Sequence, residues 1–275
     1  MMAFLQSGPV QTALLLSGAA ALLCGALGLF TVLRGQAFAG HALADVSSAG
    51  GAGGLLFGLS PLLGFLVFGL MGVGALEILQ TRRTAARDEA AGILLGAGLG
   101  LTALLLHLCL AGHGASGAAQ AVMFGAMFSA PPGEALWACL LAGLSLLVLA
   151  FIARPLLLAS LDQELALVSG APVRGLGILF LLLLALGVTL AAMTVGAILA
   201  TALLIGPAAT ALRLVRGPVM AAAFSAALGL AACWGGIVLA YASYGWMPGR
   251  TWPVSFFIVA LLLGFYAAAR LGRRA

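Results

Sequence analysis

Gly40-His41-Ala42-Leu43-Ala44-Asp45-Val46-Ser47-Ser48-Ala49-Gly50-Gly51 sets an imidazole and a carboxylate four residues apart in a stretch that otherwise reads as membrane. On a helix, positions i and i+4 share a face, with Cβ atoms about 5–6 Å apart. Imidazole and carboxylate are side chains that bind borderline divalent cations. An ionisable group inside a spanning helix costs a few kcal/mol, so its first reading is functional. The segment therefore predicts a membrane helix that presents His41 and Asp45 to a passing metal ion. A hydrogen-bonded pair that merely locks two helices is the other reading of the same residues. Two ligands fall short of the roughly four that zinc takes, and a two-fold homodimer would bring a second pair toward its axis.

Composition supports the membrane setting. The chain has 275 residues, 64% hydrophobic and only 7% charged, whereas a soluble domain carries about 25% charge. Apolar runs of 18 residues or more, separated by arginines, describe an all-α polytopic bundle with about eight or nine spans. The alternating segments of about ten residues that build a β-barrel are absent. The whole chain, 1–275, reads as one transmembrane domain. The net charge of +5 does not indicate nucleic acid, because the arginines punctuate the apolar runs. Cys24, Cys109, Cys139 and Cys233 are scattered singly and read as small buried hydrophobes.

In chain order, the runs are approximately 9–33, 40–59, 61–80, 90–111, 132–154, 173–192, 194–212, 219–241 and 254–269. The piece 121–128 is too short to cross and reads as interfacial or re-entrant. An aromatic loop, Tyr244 to Trp252, suits the membrane–water boundary. With the N-terminus outside and the runs alternating, Arg34, Arg82, Arg83, Arg87, Arg154, Arg174, Arg213, Arg216, Arg270, Arg273 and Arg274 all fall inside. Only Arg250 is left outside. The positive-inside bias therefore predicts a multi-pass plasma (inner) membrane protein, N-terminus out and C-terminus in. Glycines in the second run (Gly50, Gly51, Gly53, Gly54, Gly58) and the fourth (Gly92, Gly96, Gly100) predict close helix approach. Gly206-Pro207 predicts a break or bend in the seventh run.

Ser160 to Pro172 has the grammar of a short helix on the arginine-rich side. Ser160 reads as the cap with Gln163 as its capping-box partner, Asp162 and Glu164 fall in the first turn, and Gly170 with Pro172 ends it. His107 and His113, six apart, do not share a helix face and read as end-of-helix residues. No GxxxxGK[ST] loop, HExxH or GxSxG occurs, which argues against ATP hydrolysis by this chain, an intramembrane metalloprotease and a hydrolase elbow.

Three blocks resemble the permease subunit of zinc/manganese-type ABC importers, a type II ABC importer-like fold. Arg34 through Gly50 is similar to that family's Gly-Asp-x-x-x-His-x-x-x-x-Gly segment. Asp162–Gly170 is similar to its cytoplasmic acid-x-Ala-x-x-x-Gly loop, here Glu164, Ala166 and Gly170. Val195 through Ala211, containing Leu203-Leu204-Ile205-Gly206-Pro207-Ala208-Ala209-Thr210, is the most specific block. The resemblance implies a non-enzymatic homodimeric permease in membrane lipid, with a separate cytoplasmic ATP-binding subunit and an extracytoplasmic metal-binding protein. It also makes the 160–172 segment the coupling element, through Asp162, Glu164, Ala166 and Gly170. No resident cofactor is implied; the cargo would be zinc first, with manganese as the alternative. In this chain the family's Asp-then-His order is exchanged to His41-then-Asp45, shifting each ligand type by one turn, about 6 Å. A metal-chelate permease, for a siderophore or cobalamin, and an ion-coupled secondary transporter using Asp45 are the rival readings.

Overall fold

The computed structural model describes residues 4, 6–79, 84–113, 117–245 and 252–272. The expectations placed on Arg82, Arg83, Arg250, Arg273, Arg274 and most of the aromatic loop lie outside these residues, as do the side chains of Arg87 and His113. The described elements are helices: α1 (Gly8–Leu33), α2 (Ala37–Leu56), α3 (Pro61–Leu79), α4 (Thr84–His113), α5 (Ala118–Phe124), α6 (Pro132–Leu161), α7 (Gln163–Val168), α8 (Val173–Val195), α9 (Ala197–Leu214), α10 (Pro218–Ser243) and α11 (Val254–Leu271). Among them, 8 are long and apolar enough to cross a bilayer. Helix α2, 20 residues long, is not in that set. Its His, Asp, Ser and Gly residues make it too polar to face lipid, and it does not have to.

Helix α2 lies inside the bundle, against α3, α4, α8 and α9. Fourteen of its residues, from Ala39 to Gly54, are buried. Apolar burial gives little drive for helix association in lipid, so close packing and interhelical hydrogen bonds must hold such a helix in place. Gly50 and Gly64 bring the backbones of α2 and α3 together, and a Cβ on either would run into the other's carbonyl oxygen. Gly98 does the same for α4, where a Cβ would lie 2.8 Å from the Val46 nitrogen. The expected stripe in α4 is thereby corrected: Gly96 and Gly100 face open space, and Gly92 makes only an ordinary contact. Two hydroxyl bridges add to the packing, Thr189 Oγ1 donating to Ser47 Oγ at 3.1 Å and Ser48 Oγ lying 2.8 Å from Thr102 Oγ1. Such bonds contribute about 0.6 kcal/mol each.

Two local expectations change. Helix α9 runs unbroken through Gly206 and Pro207; the interruption falls instead at Gly196, whose φ of 101° parts α8 from α9. Proline removes only one N–H, and tightly packed neighbours tolerate that loss. Helix α6 does not stop at Arg154 but carries on through Pro155 to Leu161. Its 30 residues span about 45 Å, more than the roughly 30 Å hydrocarbon layer. The short piece expected near 121–128 is α5 with the turn after it, clamped onto the α8–α9 junction. Gly125 takes φ 85°, Ala126 N donates to Met193 O at 3.1 Å, and Ser255 Oγ donates to Phe124 O at 2.7 Å.

The Gly50–Gly64 approach makes an asymmetric demand on α3. Gly64→Val is expected to cost at least the ~1–3 kcal/mol typical of overpacking and to abolish monodisperse protein on size-exclusion chromatography in detergent. Gly74→Val, on the same helix but with nothing within 4 Å of a Cβ, is expected to leave the profile unchanged.

Candidate metal site

The turn after α1 sets the start of the site. Gly35, at φ 65°, reverses the chain, and Gln36 N closes onto Thr31 O at 2.9 Å, so α2 begins at Ala37. From there His41 and Asp45 fall one turn apart on one face. His41 Nε2 stands 3.7 Å from Asp45 Oδ2, with side-chain exposures of 34% and 2%. That separation is too long for a hydrogen bond. Asp45 Oδ2 is fully enclosed and has no hydrogen-bond partner among the described residues. The other imidazole nitrogen, Nδ1, lies 2.6 Å from Thr201 Oγ1 on α9.

Carbonyls around Asp45 find partners even though its Oδ2 does not. Ser48 Oγ lies 2.7 Å from Asp45 O and Thr102 Oγ1 lies 2.8 Å from Gly98 O, so the two hydroxyls divide their two protons between these carbonyls and the bridge that joins them. Helix α4 thus seals one side of the pair, while α9 supplies a hydroxyl from another. Two donors on a tetrahedral metal with bonds of about 2.1 Å stand about 3.4 Å apart. The 3.7 Å between Nε2 and Oδ2 is close to that spacing.

The described residues contain no group of three or more His, Cys, Asp or Glu side chains able to hold a metal. His41 and Asp45 stand next to one another on α2, at the spacing read from the sequence. His107 sits on the exposed side of α4, away from the pair. Thr201, Ser48 and Thr102 had not been singled out. Nothing in their spacing distinguishes them from ordinary hydroxyls in apolar helices, and only the fold joins α9 and α4 to α2.

The 160–172 segment forms the short helix α7, with different capping from that expected. Asp162, not Ser160, is the N-cap, its Oδ1 accepting from Leu165 N at 2.9 Å. Ser160 belongs to α6, where its hydroxyl bonds the Leu156 carbonyl. Ala166 is fully buried and anchors the helix, and Gly170 ends it at φ 77°. Glu164, Leu165, Leu167 and Val168 point outward, Val168 being 86% exposed. Beside α7 opens a cleft of about 950 Å³, lined in part by Arg34, Gln36, Glu77, Ser160, Gln163 and Arg174. Arg174 bonds Glu77 Oε1 through both Nε and Nη2, at 3.2 and 3.1 Å, tying the start of α8 to the end of α3.

A bundle of membrane helices around one buried polar helix, with a small capped helix projecting at its arginine-bearing end, defines the class of a helical permease. The chain belongs to the ABC 3 transport family, whose sequence model matches residues 6–267. It is 33% identical over 213 residues to the manganese transport system membrane protein MntC of Halalkalibacterium halodurans, covering 77% of this chain and 72% of that one. It is 29% identical over 259 residues to the manganese import system permease protein ScaB of Streptococcus gordonii, covering 94% and 91%. Among solved structures, PsaBC from Streptococcus pneumoniae, in complex with Fab, matches with a TM-score of 0.83 at 25% identity, covering 98% of this chain and 95% of that one. The chain is thus the membrane permease component of a metal ABC transporter, built on a type II importer-like fold.

The unpartnered carboxylate has a cost in the empty protein. Asp45→Asn, isosteric and uncharged, is expected to raise metal-free stability, because it removes a charge that burial disfavours. Thermal unfolding in detergent with chelator present measures it, and an unchanged or lowered midpoint would mean that the carboxylate is solvated or paired.

Proposed function

We propose that this chain forms the ion pathway of an ATP-driven importer for a divalent transition metal, with His41 and Asp45 as the contact the ion makes in transit. The observation that carries this reading is the converging pair itself: Nε2 and an enclosed, partnerless Oδ2, 3.7 Å apart on a helix shielded from lipid. An enclosed carboxylate oxygen beside an imidazole is costly unless something positive visits it. The chemistry is ligand exchange. Two protein donors hold an ion weakly enough for it to leave, as an importer requires.

Between the two cargoes, imidazole plus carboxylate serves both. The expectation of zinc gives way to manganese, because manganese is what the names of the relatives carry. A chelate cargo suits the site poorly, since Asp45 is 1% exposed and the gap is the size of a bare ion. A secondary transporter leaves the outward apolar residues of α7 without a purpose. We read Leu165, Leu167 and Val168 as the surface on which a cytoplasmic ATPase subunit docks, with Asp162, Ala166 and Gly170 shaping the helix that presents them. Motion of that subunit then reaches α8, and through Arg174 and Glu77 the end of α3.

The half-exposed side of His41 supports a second copy of the chain as the source of further ligands, in a two-fold arrangement. The clustering of arginines supports an orientation with α7 in the cytoplasm and the N-terminus outside, facing an extracytoplasmic metal-binding protein.

Uptake of manganese and zinc by cells expressing the complete transporter tests the reading. His41→Ala and Asp45→Ala are each expected to cut uptake at least tenfold with membrane assembly intact; normal uptake in both removes the site. Val168→Asp is expected to reduce co-purification of the ATPase subunit severalfold and leave the isolated permease folded. Unchanged co-purification would place the docking surface elsewhere.

A further inference from the structure

Five threonines in these helices return their hydroxyl proton to the carbonyl one turn back: Thr12 to Gly8, Thr31 to Leu27, Thr102 to Gly98, Thr194 to Leu190 and Thr210 to Gly206. Thr201 makes no such bond. Its hydroxyl lies instead 2.6 Å from His41 Nδ1, across the boundary between α9 and α2. An imidazole that ligates through one nitrogen needs its other N–H held by an acceptor, which fixes both tautomer and ring orientation. Asp45 does not fill that place, because its Oδ2 is 3.7 Å from Nε2.

We propose that Thr201 is the positioning residue of the metal contact: its Oγ1 accepts the Nδ1–H of His41, so that the Nε2 lone pair faces the gap beside Asp45 Oδ2. This rests on the reading of His41 and Asp45 as the ion's ligands and names what orients the first of them. The arrangement leaves Nε2 and Oδ2 as two acceptors turned toward one another with no proton between them, a geometry that a cation relieves. It also couples the ligand to the position of a second helix. Thr201 stands in the second turn of α9, just after the Gly196 interruption, and at Gly196 a Cβ would collide with the Met123 carbonyl. Helix α9 is therefore held in register where it meets His41. A shift of α9 against α2 breaks the Thr201–His41 bond and frees the ring to turn, lowering the site's hold on the ion.

Equilibrium manganese binding to the assembled permease–ATPase complex, with uptake measured in parallel in proteoliposomes, tests the proposal. Thr201→Val keeps the shape and removes the hydroxyl, and it is expected to weaken binding about 10–100-fold, the usual effect of losing a partner to a ligating histidine. Its uptake defect should lie in the half-saturating metal concentration more than in the maximal rate. Thr201→Ser restores the acceptor and is expected to recover affinity to within about threefold of the parent. Equal losses in the Val and Ser variants would reduce Thr201 to packing and overturn the proposal. Full affinity in Thr201→Val alongside a defective His41→Ala would overturn it and leave the His41 ligand standing. Full affinity in His41→Ala would remove the ligand reading and this inference together.

Discussion

A carboxylate with an enclosed, unbonded oxygen is carried in this bundle by a helix that lies mostly inside it. Everything distinctive in the packing serves that enclosure. The Gly50–Gly64 contact lets α3 lie against α2 at backbone distance, and Gly98 does the same for α4 beside Asp45 itself. Larger residues at those positions would push the neighbours away and admit lipid to a site that cannot bear it. The polarity of α2 and the glycines around it are thus one design, in which close approach replaces the apolar surface a spanning helix would otherwise need.

Within that enclosure the chemistry is sparse. One imidazole and one carboxylate stand near the spacing of two ligands on a single ion, and hydroxyls from α4 and α9 satisfy the groups around them. A tight resident site would complete its coordination shell within the chain, as structural zinc centres do. Here the described residues stop at two donors, which suits a station through which an ion moves. At the arginine-bearing end, α7 sits beside the Arg174–Glu77 pair that joins the start of α8 to the end of α3. Helices α8 and α3 both pack on α2.

Much of this was legible beforehand, and the reasons it was or was not are physical. Apolar runs longer than a bilayer's thickness give spans directly, so the helices emerged close to their expected places. The His41–Asp45 pair was legible because charge is rare in such runs. Asp162 was expected in the first turn but not as the cap, since Ser160 offered an equally good cap at sequence level and only the extent of α6 decides between them. The break expected at Gly206-Pro207 shows the limit of residue propensity. Proline weakens a helix that stands alone, but α9 is supported along its length, while the less conspicuous Gly196 separates the helices because its φ is one that other residues avoid. Thr201 was beyond reach, because its partner lies 160 residues away and no local signal marks it.

The clamp on α5 bears on how the molecule is made. Phe124 is bonded by Ser255, 131 residues further along the chain, and Ala126 by the carbonyl of Met193. Both partners are synthesised long after residues 118–130 leave the ribosome. That short segment, too brief to cross a bilayer, must wait at the membrane surface until α8, α9 and α11 have inserted. The end of the bundle that carries this clamp therefore closes last during biogenesis, and a chain truncated before α11 would retain its polar central helix but lack the Ser255 bond to Phe124.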